Sequence, residues 1–293
     1  MSGRLAAAMA AALSREFAPA PVATVHGGSI NECFRWPTAS GPVFVKRAPL
    51  ARRALLDAEV DGLQRLREAQ ALRVPQTLAS GVTDSEAFLV LEWLDFTEPD
   101  TACEEKFGEA LAWQHRISAA AFGLERDNFI GATPQSNTLT GDWLTFWRER
   151  RLLPQLGLAA ANGHGGRLQE RGHRLVEVMG VFFSSYRPAP SLLHGDLWSG
   201  NRAAQADSTP VVFDPAVYYG DREADIAMTR LFGSFGPRFY SAYTATWPLD
   251  QLAGTRRGLY NLYHVLNHLN LFGGNYGAQA EGMIDRLLAA AGH

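Results

Sequence analysis

The sequence predicts an α+β fold of two unequal lobes, a small antiparallel-sheet lobe with one long helix and then a larger, mainly helical lobe. Three observations predict it. Short apolar runs separated by Gly and Pro fill the first third of the chain. Helical periodicity dominates after Asp95. Late in the chain, two short apolar runs each lead into an aspartate, at Asp196 and Asp214.

The elements follow in order. The start is rich in alanine and reads as a helix. Arg4, Leu5 to Leu13 and Ala18-Pro19-Ala20 loosely imitate a secretory leader, but alanine is weakly hydrophobic and Arg15 and Glu16 interrupt the stretch. A strand over 22–25 runs into His26-Gly27-Gly28-Ser29-Ile30-Asn31, and 32–36 is the returning strand. Residues 37–42, bounded by prolines, read as a turn, and Val43-Phe44-Val45-Lys46 as a third strand. The spacing of Leu55, Leu56, Glu59, Leu63 and Leu66 predicts a helix over 52–70. Pro75 breaks the chain, and Phe88-Leu89-Val90-Leu91-Glu92 is a continuous apolar run of the kind buried on both faces. Helices are expected over 104–121, 142–155, 167–185, 222–232, 238–246, 256–272 and 279–291, with short strands at Leu192-Leu193 and 211–213. The expected division is residues 1–94 and 95–293, with a hinge over 92–96 and a ligand cleft at the join.

Composition narrows the function. The 293 residues are 46% apolar and 19% charged, a globular balance. A net charge of -3 lacks the basic excess of a nucleic-acid binder. No apolar run approaches the roughly 20 residues that cross a bilayer. Cys33 and Cys103 cannot build a disulfide framework and read as reduced thiols of a cytoplasmic protein. Of 27 basic residues only Lys46 and Lys106 are lysine. A lysine kept in so arginine-biased a chain suggests a compact point charge where a guanidinium fork will not serve.

The chemistry concentrates in Ser191-Leu192-Leu193-His194-Gly195-Asp196-Leu197-Trp198-Ser199-Gly200-Asn201 and in Phe213-Asp214-Pro215. Asp196 follows a short strand, Asn201 stands five positions on, and Asp214 ends the next predicted strand. That is the layout of a kinase catalytic loop and its metal-binding aspartate. A carboxylate must accept the proton of an attacking hydroxyl, and an amide oxygen and a second carboxylate must hold Mg²⁺ against the phosphates of ATP. The two predicted strands are expected to bring both metal ligands to one edge of a hairpin. Singly, each residue also suits a turn; the ordered set points to catalysis. Lys46 at a strand end, with Glu59 on the following helix, fits the phosphate-clamping pair of that layout. Taken alone, the Gly27-Gly28-Ser29-Ile30-Asn31 segment suits a plain hairpin turn better than a phosphate-approaching loop, and its place before Lys46 strengthens the second reading. His264 and His268 share the i, i+4 spacing of zinc ligands, but Val265 stands where a metalloprotease needs Glu.

These residues resemble the fructosamine kinase (ketosamine kinase) family, a branch of the aminoglycoside-phosphotransferase, protein-kinase-like fold. The resemblance also runs through Asp127-Asn128-Phe129-Ile130-Gly131-Ala132-Thr133-Pro134-Gln135, through Tyr218-Tyr219-Gly220-Asp221-Arg222-Glu223-Ala224-Asp225, and through Leu266-Asn267-His268-Leu269-Asn270. Trp198 and the Asp221 to Asp225 stretch separate it from aminoglycoside, choline and homoserine kinases of the same layout. It implies ATP- and Mg²⁺-dependent phosphorylation of the 3-hydroxyl of a ketosamine, free or on a glycated peptide, in glycation repair, with no nucleic-acid or membrane partner. It implies Asp196 as base, Asn201 and Asp214 as metal ligands, and Lys46 with Glu59 as clamp. Gly27, Gly28 and Ser29 would approach phosphate, and the backbone at Glu92, Trp93 and Leu94 would meet adenine. Trp198 and His268 would face the sugar, and Asp225 would anchor the catalytic loop. A cysteine often stands in the family's glycine-rich loop in eukaryotes; here Ser29 does, and Cys33 lies four residues on. Gly195 replaces the arginine through which protein kinases read phosphorylation, so no such switch is expected. A kinase for another small hydroxyl compound and a nucleotide-binding pseudokinase are the competing readings.

Overall fold

A computed structural model describes residues 2–21, 23–25 and 31–293. Gly27, Gly28 and Ser29 lie outside the described residues. The first part of the chain forms a five-stranded antiparallel sheet in the order β1 (Ala23–Thr24), β2 (Glu32–Thr38), β3 (Gly41–Pro49), β5 (Glu86–Glu92), β4 (Thr77–Val82). One face is covered by α1 (Ser2–Leu13), the expected alanine-rich helix, whose Leu5 and Met9 pack on Val43, Val45, Phe88 and Val90. The other face meets α2 (Arg53–Glu68), whose Leu56, Leu63 and Leu66 pack on Ala48, Leu89 and Leu91. Side chains alternate along a strand, so a sheet covered on both faces needs apolar residues at every position. That explains the unbroken run in β5. The same alternation in β3 puts Lys46 on the α2 face.

Two expectations change here. Residues 37–42 are not a turn: β2 runs on through Pro37, which pairs with Pro42, and only Ala39 and Ser40 turn. Strand β4 escaped prediction because it is a half-exposed edge strand with Ser80 and Gly81 in place of an alternating apolar pattern.

The rest of the chain is mainly helical: α3 (Thr101–His115), α4 (Trp143–Trp147), α5 (Leu153–Ala161), α6 (Arg167–Val178), α7 (Glu223–Met228), α8 (Pro237–Thr246), α9 (Ala253–Phe272) and α10 (Tyr276–Ala290). Helix α3 stops short of the expected 121, because Ser118 leaves it to bridge Ser191. The single helix expected over 142–155 is α4, a π-turn over Arg148–Leu152 and the start of α5. Pro154 has no N–H for the carbonyl of Arg150, and the Arg151 guanidinium donates to it instead at 2.9 Å. The helix expected over 222–232 is only α7, which gives way to a turn-rich segment before Gly233. Buried Trp143, Phe146, Trp147, Tyr260 and Tyr263 hold this part together.

Three short two-stranded antiparallel sheets complete it: the hairpins β6 (Asn128–Ile130) with β7 (Thr133–Gln135) and β9 (Arg202–Ala204) with β10 (Pro210–Val212), and β8 (Ser191–Leu193) with β11 (Tyr218–Gly220). The sheet joins them closely. A Cβ on Gly62 of α2 would lie 3.0 Å from Pro215, and Thr97 pairs with Ala204.

Candidate active site

The segment that carries Asp196 is fixed from beneath by Asp225 on α7. Its carboxylate accepts the backbone N–H of His194 at 2.7 Å and of Gly195 at 2.9 Å, and lies 3.1 Å from His115 Nε2. Burial opposes the charge of Asp225, but these donors win and its pKa falls. Asp225 is therefore the anchor expected. His194 adds a clamp: Nε2 donates to Phe213 O at 3.1 Å, and Nδ1 accepts Asp196 N at 3.3 Å. Burial lowers the pKa of His194 and keeps it in this neutral form. Gly195 is obligatory. Its φ is +82°, and a Cβ there would sit 2.0 Å from Ala216 O. No arginine fits at that position, which is the physical reason that a phosphorylation-reading arginine is missing.

Asn201 and Asp214 stand at the open end of one hairpin, but it is not built from the two strands expected. Leu192-Leu193 pair with β11, and β10 pairs with β9, which starts directly after Asn201. Phe213 N donates to Asn201 O at 3.2 Å and closes that end. Asn201 Nδ2 donates to the backbone oxygen of Asp196 at 2.9 Å and to its carboxylate at 3.1 Å. The amide nitrogen is thus spent on Asp196, and Oδ1 is the atom left to coordinate. Asp214 holds a left-handed backbone (φ +56°), and its side chain is 38% exposed toward the cleft. One carboxylate and one amide oxygen suit Mg²⁺, which takes few protein ligands and completes its shell with phosphates and water. The residues present fit that ion. Asp196 has its pKa raised to about 7, by burial first and then by Asp214.

Lys46 crosses to this group. Its Nζ lies 2.7 Å from Glu59 Oε1 and 2.5 Å from Asp214 Oδ1. Burial disfavours the ammonium, but the two carboxylates outweigh it and its pKa rises. Burial pushes Glu59 up, against the pull of Lys46. The other lysine, Lys106, only reaches Asp207 O at the surface.

Two cavities meet at this triad. One, of about 460 Å³, is walled by Phe44, Leu91, Phe96 and Phe213 and edged by Glu92, Trp93 and Leu94. Phe96 and Phe213 stack with centroids 5.4 Å apart. The Glu92 carboxylate turns away to Arg73 at 2.6 Å and to Gln76 N at 2.5 Å. The second cavity, of about 190 Å³, contains Asp196, Asn201, Trp198 and His268. Cys33, Lys46 and Asp214 line both cavities. The Cys33 thiol is buried and its pKa is pushed up to about 11, so it is not a thiolate. Trp198 lies flat over Gly200, where a Cβ would come within 2.2 Å of the indole. His268 donates Nδ1–H to His264 O at 2.9 Å and sits among Phe232, Phe272 and Tyr276. Among the described residues no group of three or more His, Cys, Asp or Glu side chains is placed to hold a metal ion, so the i, i+4 pair His264 and His268 lacks the further ligands that a zinc site needs.

Sequence reasoning missed the far wall of the second cavity, formed by Asn128, Phe129, Ile130 and Gly131 with Asn267 and His264. A buried amide network holds it. Asn128 Nδ2 donates to Val217 O at 2.7 Å, and its Oδ1 accepts Gln135 and Asn137. Arg151, on the π-turn, reaches Asn137 Oδ1 at 2.7 Å and Ser136 O at 2.6 Å. The sequence marks this wall by the family resemblance of Asp127–Gln135 and Leu266–Asn270 and by the clustering of Asn and Gln between Asn128 and Asn137, but assigns it no role.

The comparisons with known proteins agree with this geometry. A sequence profile described as fructosamine kinase matches residues 1–290. A Vibrio cholerae protein named as a probable ketoamine kinase is 40% identical over 94% of this chain and 96% of its own. An Arabidopsis thaliana protein-ribulosamine 3-kinase, chloroplastic, is 38% identical over 91% of this chain and 82% of its own. A Thermobifida fusca crystal structure described as a fructosamine-3-kinase has a TM-score of 0.88 at 32% identity and covers 98% of this chain and 99% of its own. An aminoglycoside phosphotransferase held with ADP and hygromycin B, 13% identical over 98% of both chains, shares the fold with a TM-score of 0.64. The bilobal, protein-kinase-like architecture is thereby established, and the chain belongs to the fructosamine kinase family.

Proposed function

We propose that the protein transfers the γ-phosphoryl group of ATP to the 3-hydroxyl of a ketosamine, with its residues in the following roles. The observation that carries these roles is that Lys46 and Asp214 line both cavities, while Asp196 lines only the smaller one. Phosphates would lie at the junction, a nucleotide base among Phe44, Leu91, Phe96 and Phe213, and the acceptor beside Asp196. The backbone at Glu92, Trp93 and Leu94 is the edge that a base would meet, since the Glu92 carboxylate is engaged elsewhere. This reading uses the division of the chain near Leu94.

Lys46, held by Glu59, supplies a point charge to the phosphates. Asn201 Oδ1 and the Asp214 carboxylate would hold Mg²⁺. When bound, that ion neutralises phosphate charge that builds up on transfer. Asp196 accepts the proton of the attacking hydroxyl, and Asn201 Nδ2 fixes the orientation of its carboxylate. Asp225 and His194 hold the loop that carries Asp196, so the base is placed before substrate arrives. Gly27, Gly28 and Ser29 would cover the phosphates, and Trp198 and His268 would border the sugar. The acceptor is a small ketosamine or a glycated peptide, and the setting is cytoplasmic repair of glycated amines. Among the described residues no helix is long and apolar enough to cross a membrane.

The test is ADP release with Mg-ATP on fructoselysine, ribuloselysine, an aminoglycoside, choline and homoserine, with Asp196→Asn as the blank. Turnover on the ketosamines alone, lost in the variant, is expected. Turnover only on another acceptor would overturn the substrate, and silence on all with ATP still bound would favour a pseudokinase.

A further inference from the structure

The smaller cavity contains polar side chains that the roles above leave unused, among them Asn31, whose buried Oδ1 has no partner, and His264. His264 is 5% exposed and lines that cavity with Asp196 and Trp198. Its backbone oxygen receives His268, but neither ring nitrogen meets a hydrogen-bond partner among the described residues. The other buried polar groups of the same wall are committed inward. Asn128 is saturated by Val217, Gln135 and Asn137. Asn267 donates to Ile130 O at 3.3 Å and accepts from Gln155 at 3.2 Å. With both nitrogens unspent on protein, this imidazole is left for the contents of the cavity, water or a ligand, to complete.

The ring is neutral. Burial first, then His268 and Arg151, bring its pKa down to about 3. A neutral imidazole offers one N–H donor and one lone pair. A hydroxyl group, which both donates and accepts, can use both. A phosphate or carboxylate would use only the donor. The depth of the cavity gives the direction. His268, one turn further along α9, is only partly buried, and its neighbour Phe272 is 56% exposed. The mouth is therefore at the His268 end and the floor at the His264 end.

On the ketosamine-kinase reading, the geometry points to His264 as a second acceptor-binding histidine, one that holds a hydroxyl of the sugar chain at the cavity floor. The amine-bearing end of the substrate then lies toward the mouth. Specificity falls on the sugar chain, and the amine is left to vary.

The test uses the full chain with ribuloselysine and with its analogues that each lack one hydroxyl. His264→Ala should raise the acceptor KM by about tenfold, the worth of one good hydrogen bond, and leave the KM for ATP unchanged. One deoxy analogue should be handicapped about tenfold in kcat/KM in the wild type and show no further handicap in His264→Ala. His264→Gln, which keeps a donor and an acceptor, should recover part of the loss. An unchanged acceptor KM, or an equal loss on every analogue as from a merely structural role, would overturn the assignment. If His264→Ala does not fold, the ¹⁵N shift of the His264 ring decides. A change with ribuloselysine that is absent with one deoxy analogue supports the proposal, and no change with any acceptor overturns it. A wild type inactive on ketosamines would instead overturn the proposed function, and the hydroxyl assignment with it; an active wild type beside an indifferent His264→Ala overturns the assignment alone.

Discussion

The two ends of the smaller cavity differ in charge. At one end Lys46, Glu59, Asp196 and Asp214 gather a cation and three acidic groups. At the other, the lining residues Asn128, His264, Asn267 and His268 are neutral, the two amides committed inward and His268 set among aromatic rings. Buried charge is expensive, and in this cavity it is confined to the end that the proposed roles give to the phosphates. On the same proposal the other end reads neutral hydroxyls. A polycationic acceptor such as an aminoglycoside finds no carboxylate there beyond those of the phosphate end, which favours a sugar chain carrying a single amine.

The predictions sharpen this contrast. The largest effect belongs to Asp196→Asn, which should lower kcat by about 10²- to 10⁴-fold, the usual worth of a general base. Calorimetry should find ATP binding retained, and near-normal turnover would remove Asp196 from the role of base. Lys46→Arg should lower kcat by about 10²-fold, comparable to the loss of one preorganised electrostatic donor, because the planar fork misplaces the charge. An arginine variant equal to wild type would mean that the charged end tolerates any cation.

Gly195→Ala acts on the frame beneath that end. It adds a Cβ against Ala216 O in a left-handed backbone and should cost about 3 kcal/mol of stability, read by denaturant unfolding. Stability within about 0.5 kcal/mol of wild type would contradict the close approach.

The neutral end has its own signature in pH. The folded-state pKa of His264, about 3, lies below the ordinary 6.5, so the unfolded chain takes up the proton first as pH falls. Relative to His264→Gln, the wild type should hold its stability above about pH 6.5 and lose about 2 kcal/mol between pH 7 and pH 5. Parallel pH profiles for the two proteins would show that the ring is not held neutral by burial.

The charged end was far more legible in the sequence than the neutral one, for physical reasons. Lys46 and Glu59 declared themselves because strand and helix periodicities assign each a face, and those faces meet. Asp196, Asn201 and Asp214 were fixed by spacing along a short stretch of chain. The hairpin that presents two of them was misread, because Arg202–Ala204 is too short to show alternation. Gly195 could be read as a missing arginine, but its cause, the carbonyl of Ala216, appears only in three dimensions. The neutral wall was hidden because its hydrogen bonds are long-range, as from Asn128 to Val217 or from Gln155 to Asn267. In the sequence His264 stands out only as half of an i, i+4 histidine pair; its unspent nitrogens become evident only when every neighbour's partner is known.

The account rests on transfer to a secondary hydroxyl held between these two ends. The most direct measurement is the ³¹P spectrum of the product formed from ribuloselysine and Mg-ATP before it decomposes. Phosphorus coupled to a single carbon-bound proton, that of the carbon bearing the 3-hydroxyl, is the predicted result. Coupling to the two protons of a methylene, as on the terminal carbon, would contradict the placement of the acceptor in the cavity.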